Sequence, residues 1–241
     1  MASVFNFEPK RVVFKGSCYA VYDVSDLLPR HPNFPHGFGG IDPNKGQPYL
    51  TVPYRINPRR NITHLVLHQT GGGYRDAWTA LLEEARFFVR DPSWKENAAG
   101  QWKWTGEGRG WPGFAYTFWV PFKPIVWRDD EGVERYLIFQ TQPLSMISFH
   151  TGGVLNASGV GMALQGYFLA EKDGITVPRK GTDGSPSQAQ LTSVAAFVAG
   201  YAQPELKVKV LTGHWEHGKP SCPGDAAKAL VIKLRDDLRM K

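Results

Sequence analysis

Ile62-Thr-His-Leu-Val-Leu-His68-Gln-Thr70-Gly71-Gly72-Gly73 is the stretch that decides the fold class. Ile62–His68 is a short β-branched and apolar run, which reads as a buried strand, and the glycines after Thr70 end it. Trp78, Leu81, Leu82, Ala85, Phe88 and Val89 then fall at helical spacing, one face of an amphipathic helix over about residues 75–90.

The same interleaving continues outward. Phe114–Val120, Ile125–Trp127 and Arg135–Gln140 read as strands, with a turn at Asp129-Asp-Glu-Gly132 between the last two. Val160–Phe168 reads as another buried strand. Ser187-Gln-Ala-Gln190 is a capping box that opens a helix with Leu191, Val194, Ala195, Val198 and Tyr201 on one face. Val208–Leu211 is a strand leading into Gly213-His214. Asp225 reads as the N-cap of a last helix with Leu230, Val231, Leu234 and Leu238 inward. The class expected is α/β: a single central mixed β-sheet flanked by helices.

Two regions stand apart. Residues 1–60 are rich in Pro, Gly and Asn; Val12–Phe14 and Tyr19–Tyr22 can form short strands, and turn signals crowd Pro29–Pro58. This segment has too few apolar residues for its own core, so it is expected to be an irregular N-terminal arm packed on a main domain of residues 61–241. Residues 91–113 form a Trp-rich insertion holding Trp94, Trp102, Trp104 and Trp111. Either the insertion folds onto the core through its own aromatics, or it forms a substrate-facing wall. Tryptophan faces stack well on sugar rings and cations, which makes Trp102 and Trp104 candidate substrate-binding residues.

Composition bounds the function. A chain of 241 residues, 42% hydrophobic and 21% charged, can bury a core without help from disulfides or metal. Two cysteines, Cys18 and Cys222, exclude a disulfide framework and any four-cysteine zinc module. No apolar run reaches transmembrane length, so no membrane insertion is expected. Met1–Lys10 lacks a basic stretch followed by an apolar one, so a secretory signal is not expected and the chain is expected to be cytoplasmic as synthesised. The net charge of +6 favours polyanions, but the basic residues are scattered and no nucleic-acid partner is expected. A monomer is expected.

The chemistry sits at strand ends. Of seven histidines, His68, His150 and His214 lie where an apolar strand gives way to a Gly-rich or turn segment. Loops held by a rigid sheet are the usual place for chemistry. Cys222 follows in His214-Trp-Glu-His-Gly-Lys-Pro-Ser-Cys222-Pro-Gly. Two histidines and a cysteine make a three-ligand zinc set whose fourth position stays open, the catalytic arrangement. Each signal alone is weak, since a strand-end histidine is commonly a hydrogen-bonding structural residue and a lone buried cysteine a small hydrophobe.

Leu65-Val-Leu-His68-Gln-Thr70-Gly71-Gly72 resembles the first zinc-ligand motif of the zinc N-acetylmuramoyl-L-alanine amidases, the family of phage lysozyme-like amidases and animal peptidoglycan recognition proteins. Phe149-His150-Thr151-Gly152, with Asn156, Ser158-Gly-Val-Gly161 and Leu164, resembles the family's central motif. Gly213-His214 through Lys219 and Ser221-Cys222-Pro-Gly-Asp225 is similar to its closing one. The resemblance runs from about Ile62 to Leu238 and implies that His68, His214 and Cys222 bind Zn2+. It implies that Tyr116 supports the attacking water, that Lys219 stabilises the oxyanion, and that His150 and Asn156 lie beside the site on the substrate side. Departures are Gln69 where the family often has His, Trp215-Glu216 where it has Arg-Asp, Thr117 after Tyr116, and the spacing of Lys219 from Cys222; His217 has no assigned counterpart.

The function so implied is hydrolysis of the amide between N-acetylmuramic acid and L-alanine of bacterial peptidoglycan, in a phage or prophage lysin or a virion-associated cell-wall enzyme. Alternatives are an intracellular amidase that recycles muropeptides, a peptidoglycan-binding module without catalysis, and a cysteine peptidase using Cys222 with His214 or His150. The presence of Cys222 favours catalysis over mere binding, because family members lacking it bind without cutting.

Overall fold

The structure, a computed structural model, describes residues 9–32, 41–44, 47–48, 61–70, 76–152, 155–168 and 184–241. Much of the turn-rich stretch Pro29–Pro58 and the Gly71–Gly73 turn lie outside the described residues. In chain order the strands are β1 (Val12–Lys15), β2 (Tyr19–Asp23), β3 (Ile41–Asp42), β4 (Gln47–Pro48), β5 (His64–Gln69), β6 (Trp94–Glu96), β7 (Trp102–Trp104), β8 (Phe118–Val120), β9 (Val126–Arg128), β10 (Glu134–Gln140), β11 (Gly159–Leu164) and β12 (Val210–Gly213). The helices are α1 (Ala77–Val89), α2 (Leu155–Ser158), α3 (Gln188–Phe197) and α4 (Asp225–Leu238).

Eight strands form one sheet in the order β1-β2-β10-β8-β11-β5-β12, with β9 paired to β10. The sheet is mixed, as expected. β2 and β10, β8 and β11, β11 and β5, and β5 and β12 are parallel, whereas β1–β2, β8–β10 and β9–β10 are antiparallel. The candidate strands of the N-terminal segment are thus two strands of this sheet, and Tyr19, Ala20 and Val21 are wholly buried in it.

Both faces of the sheet are covered, so its central strands are continuously apolar. Alternation sorts their side chains. Tyr19, Val21, Leu65, Leu67, Ile138, Val160, Met162 and Leu164 pack with Val194 and Phe197 of α3 and Val231 of α4. Ala20, Tyr22, Leu137, Phe139 and Ala163 pack with Ala77, Leu81 and Ala85 of α1. α3 opens with the expected capping box at Ser187 and Gln190. α4 starts at Asp225, with Gly224 in the N-cap position that had been expected of the aspartate.

The expected strand Phe114–Val120 pairs only over Phe118–Val120. A regular strand would put Tyr116 and Phe118 on one face. Instead Phe118 packs toward α3, with its ring centroid 4.8 Å from that of Phe197, while Phe114 and Tyr116 pack against Phe88 of α1. The break at Thr117 turns Tyr116 away from the α3 side. The Trp-rich insertion is not without regular structure: β6 and β7 form a hairpin with Trp94 opposite Trp104.

α1 also carries a carboxyl group behind the sheet. The Trp119 indole N–H donates to Glu84 Oε2 at 3.1 Å. Burial pushes the Glu84 carboxyl up to about 8, against hydrogen bonds from Thr70 and Trp119 that pull it down. The folded chain keeps a proton that the unfolded chain releases near the ordinary value of 4.5, so stability from this group is full below that pH and is lost as pH rises through about 8. Glu84→Gln should therefore melt above wild type at alkaline pH and close to it at about pH 5. Thermal melts at the two pH values check this; a difference of equal size at both would mean that the carboxyl is not held protonated.

Candidate metal centre and cleft

Three parallel strands align the site. The register β11–β5–β12 sets Ala163 beside His68 and Gly213 beside Leu67, so the carboxyl ends of the strands come level. Crevices at the carboxyl ends of such strands are where open α/β sheets bind ligands. His68 is the penultimate residue of β5 and is fully buried on the α1 side of the sheet. His214 follows β12 directly in a 3-10 turn, His214–His217. Glu216 fixes that turn: its carboxylate accepts the Gly213 N–H at 3.1 Å and pairs with Arg235 of α4.

The chain then folds back to present Cys222. The Lys219 N–H donates to the His214 carbonyl at 3.2 Å, and the Cys222 N–H to the Lys219 carbonyl at 2.9 Å. Gln69 ties this loop to the end of β5. Its backbone N–H donates to Cys222 Sγ at 3.3 Å, and its side-chain amide donates to the Ser221 carbonyl at 3.3 Å. Sequence reading had treated Gln69 only as a departure from a motif; its amide is what a loop clamp needs, one end to donate and one to accept.

The ligand atoms of His68, His214 and Cys222 all lie within 4.8 Å of one another. His68 Nδ1 faces His214 Nδ1 at 3.0 Å, and His68 Nε2 faces His150 Nδ1 at 3.2 Å. His150 thus occupies one nitrogen of His68 and leaves the other pointing at His214, the arrangement by which an outer partner orients a metal-binding histidine. Burial first, then neighbouring histidines, holds His68 well below its ordinary pKa. Burial, Lys219 and His217 bring His214 down to about 4. Both rings are therefore neutral at physiological pH, the form that binds metal. The donor set fits a metal ion.

His150 sits on a loop built by Asn156. The Asn156 Oδ1 accepts the backbone N–H groups of His150 and Thr151, each at 3.0 Å, and of Gly152 at 3.2 Å. The His150 ring lies over β11, and a Cβ on Gly161 would come within 2.9 Å of His150 Cβ and Cγ. Glycine at 161 is thus required by close approach.

These residues open on a cleft of about 420 Å³. Tyr116, His150, His214 and Lys219 supply its polar end, and Phe87, Phe88, Trp111 and Phe149 an aromatic wall. The Tyr116 ring centroid is 4.9 Å from that of His68, and burial holds its hydroxyl pKa above the ordinary value, so it remains a hydrogen-bond donor. Trp102 and Trp104 do not line the cleft. Trp102 is exposed on the hairpin, and its backbone exchanges two hydrogen bonds with the side chain of Asn44. His217 does not line it either; its Nε2 pairs with Thr212 Oγ1 at 3.0 Å. Sequence reading gave no role to the cleft residues Phe87 and Arg109 and quoted Phe149 only as part of a motif, whereas Trp111 belongs to the insertion read as a possible substrate-facing wall. Phe88 was read as a core residue of α1.

The model of the N-acetylmuramoyl-L-alanine amidase family matches residues 58–225, more than half of the chain. No curated protein matches it in sequence. Among solved structures it is similar to the complex of peptidoglycan recognition proteins LCa and LCx bound to tracheal cytotoxin, at 14% identity, over 78% of this chain and 90% of that one, with a TM-score of 0.50. It is also similar to the amidase LysC from Clostridium intestinale URNW, at 19% identity over 79% and 92% of the two chains, TM-score 0.48. A further match is the Ph2119 endolysin from Thermus scotoductus MAT2119 bacteriophage Ph2119, at 21% identity over 75% and 88%, TM-score 0.44. At these identities the likenesses concern the fold.

The Asn156 acceptor makes a test of how the His150 loop is held. Asn156→Ala strands three backbone N–H groups, and leaving buried donors unsatisfied costs about 1–3 kcal/mol. The variant should lower the melting point and speed amide exchange at residues 150–152, with little change in β10. Unaltered exchange in that loop would mean that Asn156 does not hold it.

Proposed function

This chain belongs to the N-acetylmuramoyl-L-alanine amidase family, and from that membership we propose that it is a zinc-dependent amidase cutting the bond between N-acetylmuramic acid and L-alanine in peptidoglycan. The observation that carries the proposal is the convergence of His68, His214 and Cys222 from three separate segments into one group of ligand atoms beside a cleft. Two nitrogens and a sulfur with room for a fourth partner are the donor set of a catalytic zinc site.

His68, His214 and Cys222 would hold the ion, which when bound supplies a Lewis acid for the amide carbonyl and lowers the pKa of water toward neutrality. The remaining tasks fall to the chain. The Tyr116 hydroxyl, kept protonated by burial, can donate to the oxygen that gains negative charge. The Lys219 ammonium at the cleft mouth adds positive charge to the same region. His150 keeps the His68 ring oriented, and the aromatic wall excludes water from the substrate.

The same geometry disfavours Cys222 as a nucleophile. Burial pushes its thiol up to about 11, so without a metal it stays protonated, whereas nucleophilic cysteines have lowered pKa values. The net charge of +6 suits a substrate bearing peptide carboxylates and associated anionic polymers. That charge is consistent with a lysin or a virion-associated wall enzyme.

Digestion of purified walls followed by muropeptide mass spectrometry tests the reaction. Free stem peptides beginning with L-alanine are expected; new reducing sugar ends would instead indicate a glycosidase. Elemental analysis should find one zinc per chain, and a strong chelator should abolish lysis until zinc is added back. Cys222→Ser should lose most of the zinc, since a neutral hydroxyl is a poor replacement for thiolate. Chelator-resistant lysis blocked by thiol alkylation would overturn the metal assignment in favour of a cysteine peptidase.

Tyr116→Phe separates transition-state stabilisation from metal binding. Removing one oxyanion donor lowers kcat by about 10²–10³-fold, and zinc content should stay at the wild-type level. Full activity in this variant would remove Tyr116 from the mechanism.

A further inference from the structure

Four cations gather in a depression at the opposite end of the sheet from the metal centre. Lys207, Lys209, Arg239 and Lys241, with Thr63 and Gln203, line a cavity of about 470 Å³. Thr63 immediately precedes β5, so along that strand it lies roughly 16 Å from His68, at about 3.3 Å per residue. No described aspartate or glutamate lines this cavity, and among the described residues none of the four cations forms an ion pair.

The backbone beneath the cations is fixed from three directions. The Gln203 side-chain amide donates to the Leu238 carbonyl at 2.9 Å, which ties the helical turn Val198–Ala202 to the end of α4. The N–H groups of Lys209 and Val210 both donate to the Thr63 carbonyl, at 2.9 and 3.1 Å. The Lys241 N–H donates to the Lys209 carbonyl at 3.0 Å, and the Lys241 carbonyl accepts the Leu211 N–H at 2.9 Å.

Two of the cations stand where the backbone favours glycine. Lys207 has φ +61° and Arg239 φ +52°, and they are the only described residues other than glycine with left-handed backbone. That conformation is unfavourable for a residue with a Cβ, and such strain gathers where function requires it. Arg239, at the C-cap of α4, gains from the helix dipole. The dipole gives no reason for Lys207, Lys209 and Lys241 to share the cavity. Like charges held together repel, and an anion placed among them offsets that cost.

The shape and chemistry narrow the anion. Lys207 also lines an adjoining depression of about 390 Å³ beside Asn61, Leu144 and Ser145, so the two make one groove, with Glu205 its one described carboxylate. A groove suits a linear ligand better than a single ion. Lysine ammonium groups and an arginine fork are donors that match phosphate oxygens. No described aromatic residue lines either depression, whereas single-stranded nucleic acids are held by stacking as well as by charge. The ligand that fits is a phosphodiester chain without bases.

We propose that this groove is a second binding site, which holds a polyol-phosphate polymer of the bacterial wall while the cleft faces peptidoglycan. The inference rests on the amidase reading only for the choice of a wall polymer; the binding itself is independent of cleavage.

A glycerol-phosphate oligomer serves as the probe in calorimetry on the full chain, beside a single-stranded oligonucleotide of equal charge. Wild type should bind the polyol oligomer at least as tightly as the oligonucleotide. Lys209→Gln with Lys241→Gln should weaken that binding about tenfold, the worth of two exposed ion pairs. Lys207→Gly with Arg239→Gly should weaken it as much, and glycine accepts both backbone angles, so this pair guards against a failure to fold. Lys95→Gln with Lys103→Gln removes the same charge from the β6–β7 hairpin and should leave binding close to wild type. Circular dichroism melts confirm folding, and cleavage of soluble muropeptides should be unchanged in all three pairs. If nothing is cleaved yet the polyol oligomer binds and only the groove pairs weaken it, the groove assignment holds and the amidase reading fails. The proposal is overturned by an absence of binding in wild type, by tighter binding of the oligonucleotide, by groove pairs that bind as wild type does, or by equal weakening in the hairpin pair.

Discussion

A wholly buried imidazole at the end of β5 is the constraint on which the site is organised. A ring with two polar nitrogens and no access to water must have a partner for each. His68 meets this with His214 on one side and His150 on the other. Each partner then needs its own support. His214 relies on the turn locked by Glu216 and Arg235, which joins the site to α4. His150 relies on three N–H groups gathered by Asn156 and on the missing side chain of Gly161. The parallel register of β11, β5 and β12 brings all of these to one level.

The sheet makes such burial possible. With α3 and α4 on one face and α1 on the other, alternate residues of the same strand serve two different cores. Leu65 and Leu67 secure β5 in one, which leaves the other face of its last turn-ward residue for chemistry. The break in β8 serves the same end. Had Phe114–Val120 been a regular strand, Tyr116 would have followed Phe118 into the α3 core; the irregularity at Thr117 sets it 4.9 Å from the His68 ring instead.

How much of this was legible in the sequence depends on whether local pattern or tertiary packing fixed the feature. β5 and β11 are buried on both faces, so their unbroken apolar runs marked them, and the capping box at Ser187 marked α3. His68, His150, His214 and Cys222 stood out by their combination and order along the chain, since each alone is a weak signal. The limit of β8 was not legible, since aromatic residues fill its sequence on both sides of the break. Trp102 and Trp104 drew notice by type alone, while the cleft wall came from Phe87, Trp111 and Phe149, which converge from α1, a glycine-bounded turn and the His150 loop. That convergence leaves no mark in spacing. Gln69 was legible only as a departure from a motif, because its partners Ser221 and Cys222 lie far along the chain.

The charges around the cleft bear on how the proposed reaction could handle protons. Cleavage of an amide needs a proton for the departing amine as well as a nucleophile. No described carboxylate lines the cleft, and the nearby carboxyl of Glu84 is held in its neutral form by burial. The groups that can carry the proton are therefore His150, Tyr116 and Lys219. His150 already shares a hydrogen bond with His68, and burial makes Tyr116 a reluctant acid. Lys219 is exposed, cationic and at the cleft mouth, so it can both stabilise negative charge and exchange protons with solvent. Among the described residues the cleft holds cations and neutral rings but no carboxylate, and burial, Lys219 and His217 lower the His214 pKa with no acidic group to raise it. The Lys219 charge that would draw in an anionic peptide is thus the same one that helps to keep the His214 ring unprotonated.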